Sequence, residues 1–170
     1  MSNIDPRAVV SPSARLGNDV CIGPFAVVGD EVELGDGCIL EAHAVARGPS
    51  KFGRKNHVHS FAIVGGDPQD LTYTGQRTSL EVGDENEFRE FCTVHRGTIK
   101  GGGVTRVGSH SLIMAYGHIG HDYLRLDLQA QRRDILRGLH PGKGHEERDA
   151  RINLLAVPGR DMGRSPRDLA

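Results

Sequence analysis

Ile4-Asp5-Pro6-Arg7-Ala8-Val9-Val10-Ser11-Pro12-Ser13-Ala14-Arg15-Leu16-Gly17-Asn18-Asp19-Val20-Cys21-Ile22-Gly23-Pro24-Phe25-Ala26-Val27-Val28-Gly29 opens the segment that decides the fold. An aliphatic residue returns at every sixth position: Ile4, Val10, Leu16, Ile22 and Val28, then Leu34, Leu40, Ala46, Phe52, Val58 and Val64, where only Ala46 and Phe52 depart from Ile, Leu or Val. The next residue is often glycine (Gly17, Gly23, Gly29, Gly35, Gly53, Gly65), and the fourth-following is often small (Ala8, Ala14, Ala26, Cys38, Ala44, Ser50, Ala62). A period of six fits neither a 3.6-residue helix nor an alternating strand. It fits a parallel β-helix, in which each hexad is a short strand with its turn and three hexads close a triangular coil. The aliphatic residue fills the interior and the small one sits at the corner. The glycines are expected to supply backbone conformations that other residues resist. A chance run of alternating apolar residues in a β-sandwich would not keep eleven positions in phase.

Working outward, the hexads lapse after Val64. Residues Gly66 to Thr78 read as a loop thrown out from the coil. Register resumes at Val82, Phe88 and Val94, and a second excursion, Ile99 to Val104, shifts the phase by one before Val107, Ile113 and Ile119. Loops that interrupt a rigid repeat usually carry function. Polar residues gather beside these two: His95 follows an inward valine, His118 precedes an inward isoleucine, and His121 stands next to Asp122. With about eighteen residues per coil and about 4.8 Å between coils, His95 and the His118–His121 pair are expected within one or two coils of each other. Histidine suits proton transfer near neutral pH, and an adjacent carboxylate fixes its tautomer. Two other motifs are set aside. His118-Ile119-Gly120-His121 spells a nucleotide-binding tetrapeptide, but that motif works at a helix start after a Rossmann strand. Gly101-Gly102-Gly103 lacks the Gly-Lys-Ser/Thr ending of a phosphate loop and reads as a turn.

The rest of the composition sets bounds. The 170 residues suffice for one domain; 23 glycines and no tryptophan suit a repeat that stacks small aliphatic side chains. A net charge of −1 gives no electrostatic reason to expect nucleic acid or an anionic membrane. No stretch reaches transmembrane length, and the first residues lack a basic, apolar leader, so the expected location is the cytoplasm. Cys21, Cys38 and Cys92 read as reduced packing residues.

These residues carry a family resemblance. Gly66-Asp67-Pro68-Gln69-Asp70-Leu71-Thr72-Tyr73, Phe88-Arg89-Glu90, Thr93-Val94-His95-Arg96-Gly97-Thr98, Gly101 to Gly108 and His118-Ile119-Gly120-His121-Asp122 resemble the UDP-N-acetylglucosamine acyltransferases of lipid A biosynthesis. The resemblance spans residues 4–122 and implies an all-β, left-handed parallel β-helix that forms a homotrimer with active sites between subunits. It implies transfer of a 3-hydroxyacyl chain from acyl carrier protein to the 3-hydroxyl of UDP-N-acetylglucosamine, the first step of lipid A biosynthesis, without cofactor or metal. His121 would be the general base and Asp122 its support; Asp70, His95 and His118 would contact the sugar nucleotide or acyl donor. Thr72 stands where the family usually has lysine, and Gln76 where it has glutamate. Two alternatives belong to other classes. One is a zinc enzyme of the γ-class carbonic anhydrase type, also a trimeric β-helix; the other is a non-catalytic trimeric relative.

From residue 123 the family pattern stops. Tyr123 occupies a small slot, and the tail, residues 123–170, is rich in Arg, Asp, Gly and Pro without periodicity. The expectation is an irregular, weakly helical or disordered tail, in which the amphipathic pattern of residues 124–138 does not make a stable helix. A reading-frame shift or fragment is favoured over a genuine short variant with its own cap, and little turnover is expected of a coil stopped here.

Overall fold

The computed structural model describes residues 2–123; the expectations for the tail from 124 onward lie outside the described residues. Among the described residues, seventeen short strands pair in parallel, in three sheets. The first sheet stacks Asn3–Ile4, Cys21–Ile22, Ile39–Leu40, His57–Val58, Glu87–Phe88 and Leu112–Ile113. The second stacks Val9–Val10, Val27–Val28, Val45–Ala46, Ile63–Gly66, Thr93–His95 and His118–Ile119. The third holds Arg15–Leu16, Val32–Leu34, Ser50–Phe52, Ser79–Val82 and Val104–Val107. Each strand pairs with the one three later, so one coil is one strand from each sheet. The described residues form the expected all-β, left-handed parallel β-helix.

Register explains the period. Ile4, Ile22, Leu40, Val58, Phe88 and Ile113 are Cα partners in sequence, one above the next. Val10, Val28 and Ala46 align likewise, as do Val64, Val94 and Ile119. From Ile22 onward these side chains are at most 5 % exposed, whereas Ile4, in the first coil, is 43 % exposed. Each fully buried Val, Leu or Ile contributes about 1.5–3 kcal/mol. Ala26, Cys38, Ala44, Ala62 and Cys92 close the corners, fully buried. The three cysteines are free, and burial pushes the Cys92 thiol up to about 12. Asn56 and Asn86 occupy the same slot and are buried but satisfied: Asn56 Nδ2 donates to the Gly83 carbonyl at 2.8 Å, and Asn86 Nδ2 to Asn56 Oδ1 at 2.9 Å.

The glycines do a different job from the one expected. Of the six that follow an aliphatic residue, only Gly65 has positive φ. Gly17, Gly23, Gly35 and Gly53 are instead squeezed between coils; a Cβ on Gly35 would lie 2.4 Å from the Gly53 carbonyl oxygen. Left-handed φ falls two positions later, on Asp19, Phe25, Glu31, His43, Lys55, Phe61, Glu85, Phe91, His110, Tyr116 and Asp122. Five of these, Phe25, His43, Phe61, Phe91 and Tyr116, stack ring on ring at 4.9–5.2 Å along one corner. This places His43 in a ladder on a different corner from His121.

Candidate active site

The corner after the second sheet builds the site. There one coil throws out residues 67–78, the next residues 97–103, and the next carries His121 and Asp122. The excursions therefore sit beside one another. Arg96 anchors them: it is 5 % exposed, and its Nη1 donates to the carbonyls of Gly48 and Gly65, each at 2.8 Å. Its Nη2 pairs with Asp67 and reaches the Tyr73 hydroxyl at 3.2 Å. The Gly101-Gly102-Gly103 run is a turn, as expected, with φ of 89° and 80° at Gly102 and Gly103 and a 2.7 Å bond from Gly103 N–H to the Thr98 carbonyl.

His121 and Asp122 form a hydrogen-bonded pair, Nδ1 to Oδ2 at 2.8 Å. Asp122 takes the left-handed position of its hexad, with φ 64°. Its carboxylate also accepts from the Thr98 N–H and hydroxyl at 2.5 Å each, and its own N–H donates to Thr105 Oγ1 at 3.0 Å. Burial works to raise the Asp122 pKa, but the Thr98 and His121 hydrogen bonds outweigh it and hold the group below the usual carboxylate range. An ionised Asp122 accepts the Nδ1 proton of His121, leaving the Nε2 lone pair as the base.

His95 and His118 lie on adjacent coils, ring centroids 5.2 Å apart. His118 Nδ1 meets Thr93 Oγ1 at 2.8 Å. His95 Nδ1 donates to the Asp67 carbonyl at 2.6 Å, and its buried Nε2 has no hydrogen-bond partner. Burial is the main reason its pKa is lowered, so the ring is held neutral. The unfolded imidazole takes up a proton near its ordinary 6.5, the folded one only at lower pH. The stability from His95 is therefore complete above about 6.5 and declines as pH falls toward the folded value. In urea melts, His95→Gln should lose less stability than the parent chain between roughly pH 7 and pH 5.5; equal slopes would count against a buried neutral ring.

Asp70 Oδ1 accepts from the Thr72 N–H and hydroxyl, both at 2.6 Å, and Lys100 Nζ stands 3.9 Å from Oδ2. The Thr72 bonds are the main cause of its lowered pKa, with Lys100 and His121 adding attraction. Thus Thr72 caps Asp70, and the nearby cation comes from the second loop. The structure brings all five expected residues to one corner and its adjoining sheet. Sequence reasoning gave no role to Thr98, Thr105, Arg96, Lys100 or Gly101, although all but Lys100 lie in the stretches that carry the family resemblance. A Cβ on Gly101 would lie 1.9 Å from Asp122 Cγ. Gly101→Ala must displace that carboxylate, and activity should fall on the order of 10²-fold, the cost of a misplacement of about 1 Å, with little change in the urea midpoint. Unchanged activity would show that the loop yields instead. Two grooves, of about 450 and 590 Å³, open by the third sheet and the loop roots, and neither includes the histidines.

Residues 13–48 match the family model described as bacterial transferase hexapeptide (six repeats). Over 122 residues, 72 % of this chain, the sequence is 46 % identical to the acyl-[acyl-carrier-protein]–UDP-N-acetylglucosamine O-acyltransferase of Saccharophagus degradans and 49 % identical to that of Stutzerimonas stutzeri. The matched part is 47 % of each relative, so the chain spans about half the length of these curated relatives. A solved structure of UDP-N-acetylglucosamine O-acyltransferase from Moraxella catarrhalis superposes with a TM-score of 0.68 at 41 % identity, covering 69 % of this chain and 46 % of that one. The Francisella novicida enzyme gives 0.68 at 40 %, covering 69 % and 43 %. Among the described residues no helix is long and apolar enough to cross a membrane. By sequence and fold together, the β-helical part of this chain belongs to the UDP-N-acetylglucosamine O-acyltransferase family of hexapeptide-repeat proteins.

Proposed function

We propose that this chain carries the catalytic corner of an O-acyltransferase that moves a 3-hydroxyacyl group from acyl carrier protein to the 3-hydroxyl of UDP-N-acetylglucosamine. The observation that carries the reading is the His121–Asp122 pair, held by Thr98 and Thr105 at the corner where the two loops meet. His121 Nε2 takes the proton of the sugar hydroxyl as its oxygen attacks the thioester carbonyl. The resulting imidazolium is stabilised by Asp122, and the proton then goes to the departing sulfur. His95, His118 and Asp70 bind substrate, with Asp70 presenting a carboxylate already ionised. The site is open on one chain, which suits completion by neighbouring subunits of a homotrimer. Acyl carrier protein and a nucleotide sugar are cytoplasmic substrates, so the protein is placed in the cytoplasm.

A zinc enzyme of the γ type has less support, because the relatives that match residues of both loops and the His121–Asp122 corner are named as acyltransferases. The deciding experiment is a single-turnover assay with enzyme in excess over radiolabelled UDP-N-acetylglucosamine and 3-hydroxyacyl carrier protein. The expected result is an ester product whose formation depends on His121. No product, with no sugar-nucleotide binding by calorimetry, would leave the non-catalytic reading standing.

A further inference from the structure

On the first sheet, away from the catalytic corner, three successive coils bring two imidazoles and three carboxylates together. His57 and His59 stack at 3.9 Å between centroids. Glu41 Oε1 lies between them, 2.9 Å from His57 Nε2 and 3.2 Å from His59 Nδ1. The other oxygen, Oε2, is fixed by the Ser60 N–H and hydroxyl at 3.1 and 3.0 Å, which aims Oε1 at the rings. Glu87 and Glu90 close the cluster from the next coil; Glu90 Oε1 is 3.9 Å from His59 Nδ1 and is held by Arg89.

The donor set points to a ligand, and the burial of one ring bears on how that ligand is oriented. Among the described residues, Glu41, His57 and His59 are the group of such side chains whose donor atoms all fall within 4.8 Å of one another. His59 is also 8 % exposed, and its Nε2 has no hydrogen-bond partner, with Glu87 Oε2 at 3.6 Å. We propose that Glu41, His57 and His59 form a binding site for one zinc-class divalent cation that ties two successive coils together. Tetrahedral zinc with bonds of about 2.0–2.2 Å separates its ligand atoms by about 3.3 Å. The Glu41 to His57 and His59 spacings need to open by a few tenths of an ångström, and the two rings, stacked at 3.9 Å, must turn out of their stack for both lone pairs to meet the ion. Neutral imidazole and carboxylate are the donors such an ion takes. His59 would bind through Nδ1, and its Nε2–H would donate to Glu87, the carboxylate–histidine–metal arrangement that orients a ligating ring. The fourth position is left to water or to Glu90.

The test is titration of chelator-treated, full-length chain with zinc by calorimetry, and with cobalt by visible absorption. The expected result is one ion per chain and a tetrahedral cobalt band. Glu41→Gln and His57→Gln should each weaken binding by at least 10-fold, and Glu87→Gln by about 10- to 100-fold, as for other partners of a ligating histidine. His110→Gln, which removes another exposed histidine beside a glutamate, should leave binding unchanged. If the parent chain takes up no ion, the site does not exist, whether or not any variant folds. Binding abolished by His121→Ala but kept in Glu41→Gln would assign the ion to the catalytic corner and overturn the proposal.

Discussion

Replacing His121 by alanine is expected to lower kcat for acyl transfer by roughly 10²–10⁴-fold, the usual contribution of a positioned general base. The effect belongs to the chemical step, because the ring is about one-third exposed and holds no part of the core. Folding should be unaffected to within about 0.5 kcal/mol, the range of surface substitutions. His43→Ala is the informative comparison. His43 stacks between Phe25 and Phe61 on a different corner, so its loss should cost packing there and leave turnover nearly unchanged. Asp122→Asn should fall on the side of His121, since the amide no longer fixes the Nδ1 proton or stabilises an imidazolium. Comparable losses from His121→Ala and His43→Ala would mean that His121 has no special role.

The fold was legible because a solenoid repeats its physics. Each interior position meets the same environment one coil later, so the aliphatic period survives in plain sequence. The reason for the glycines was not legible. A glycine needed for left-handed φ and one needed because the next coil lies 2.4 Å from its missing Cβ look alike in a single chain. The structure puts the left-handed turn on Phe25, His43 or Asp122 instead. The five expected site residues came from the family resemblance and from histidines beside loops. Their supports lie in the same family stretches, but nothing in the sequence says which residue each one holds. Thr98 reaches Asp122 across 24 residues, and Arg96 reaches Gly48 across 48. Polar partners set by loop shape carry no period. The cluster of Glu41, His57 and His59 escaped notice for the same reason, since the sequence reading sought histidines only where the hexads failed.

A charge placed inside the coil should have the larger effect on stability. Leu40→Asp is expected to prevent folding, at a cost on the order of several kcal/mol. Leu40 is 1 % exposed and sits in register between Ile22 below and Val58 above, so an aspartate there meets only apolar neighbours in its stack. The same substitution one residue earlier discriminates between a true hexad interior and general sensitivity of the strand. Ile39 belongs to the same two-residue strand but points outward and is 39 % exposed. Its register partners are Cys21 and His57, and Ile39→Asp adds a charge that water can solvate, so the loss should stay near 1 kcal/mol. Ile22→Asp, equally buried at 2 % exposure, should behave like Leu40→Asp. Because each coil rests on its neighbours, the damage should spread to adjacent coils and lower hydrogen-exchange protection on both sides of the substitution. Urea melts giving Leu40→Asp and Ile39→Asp the same midpoint would show that the aliphatic stack is not what holds the coils together.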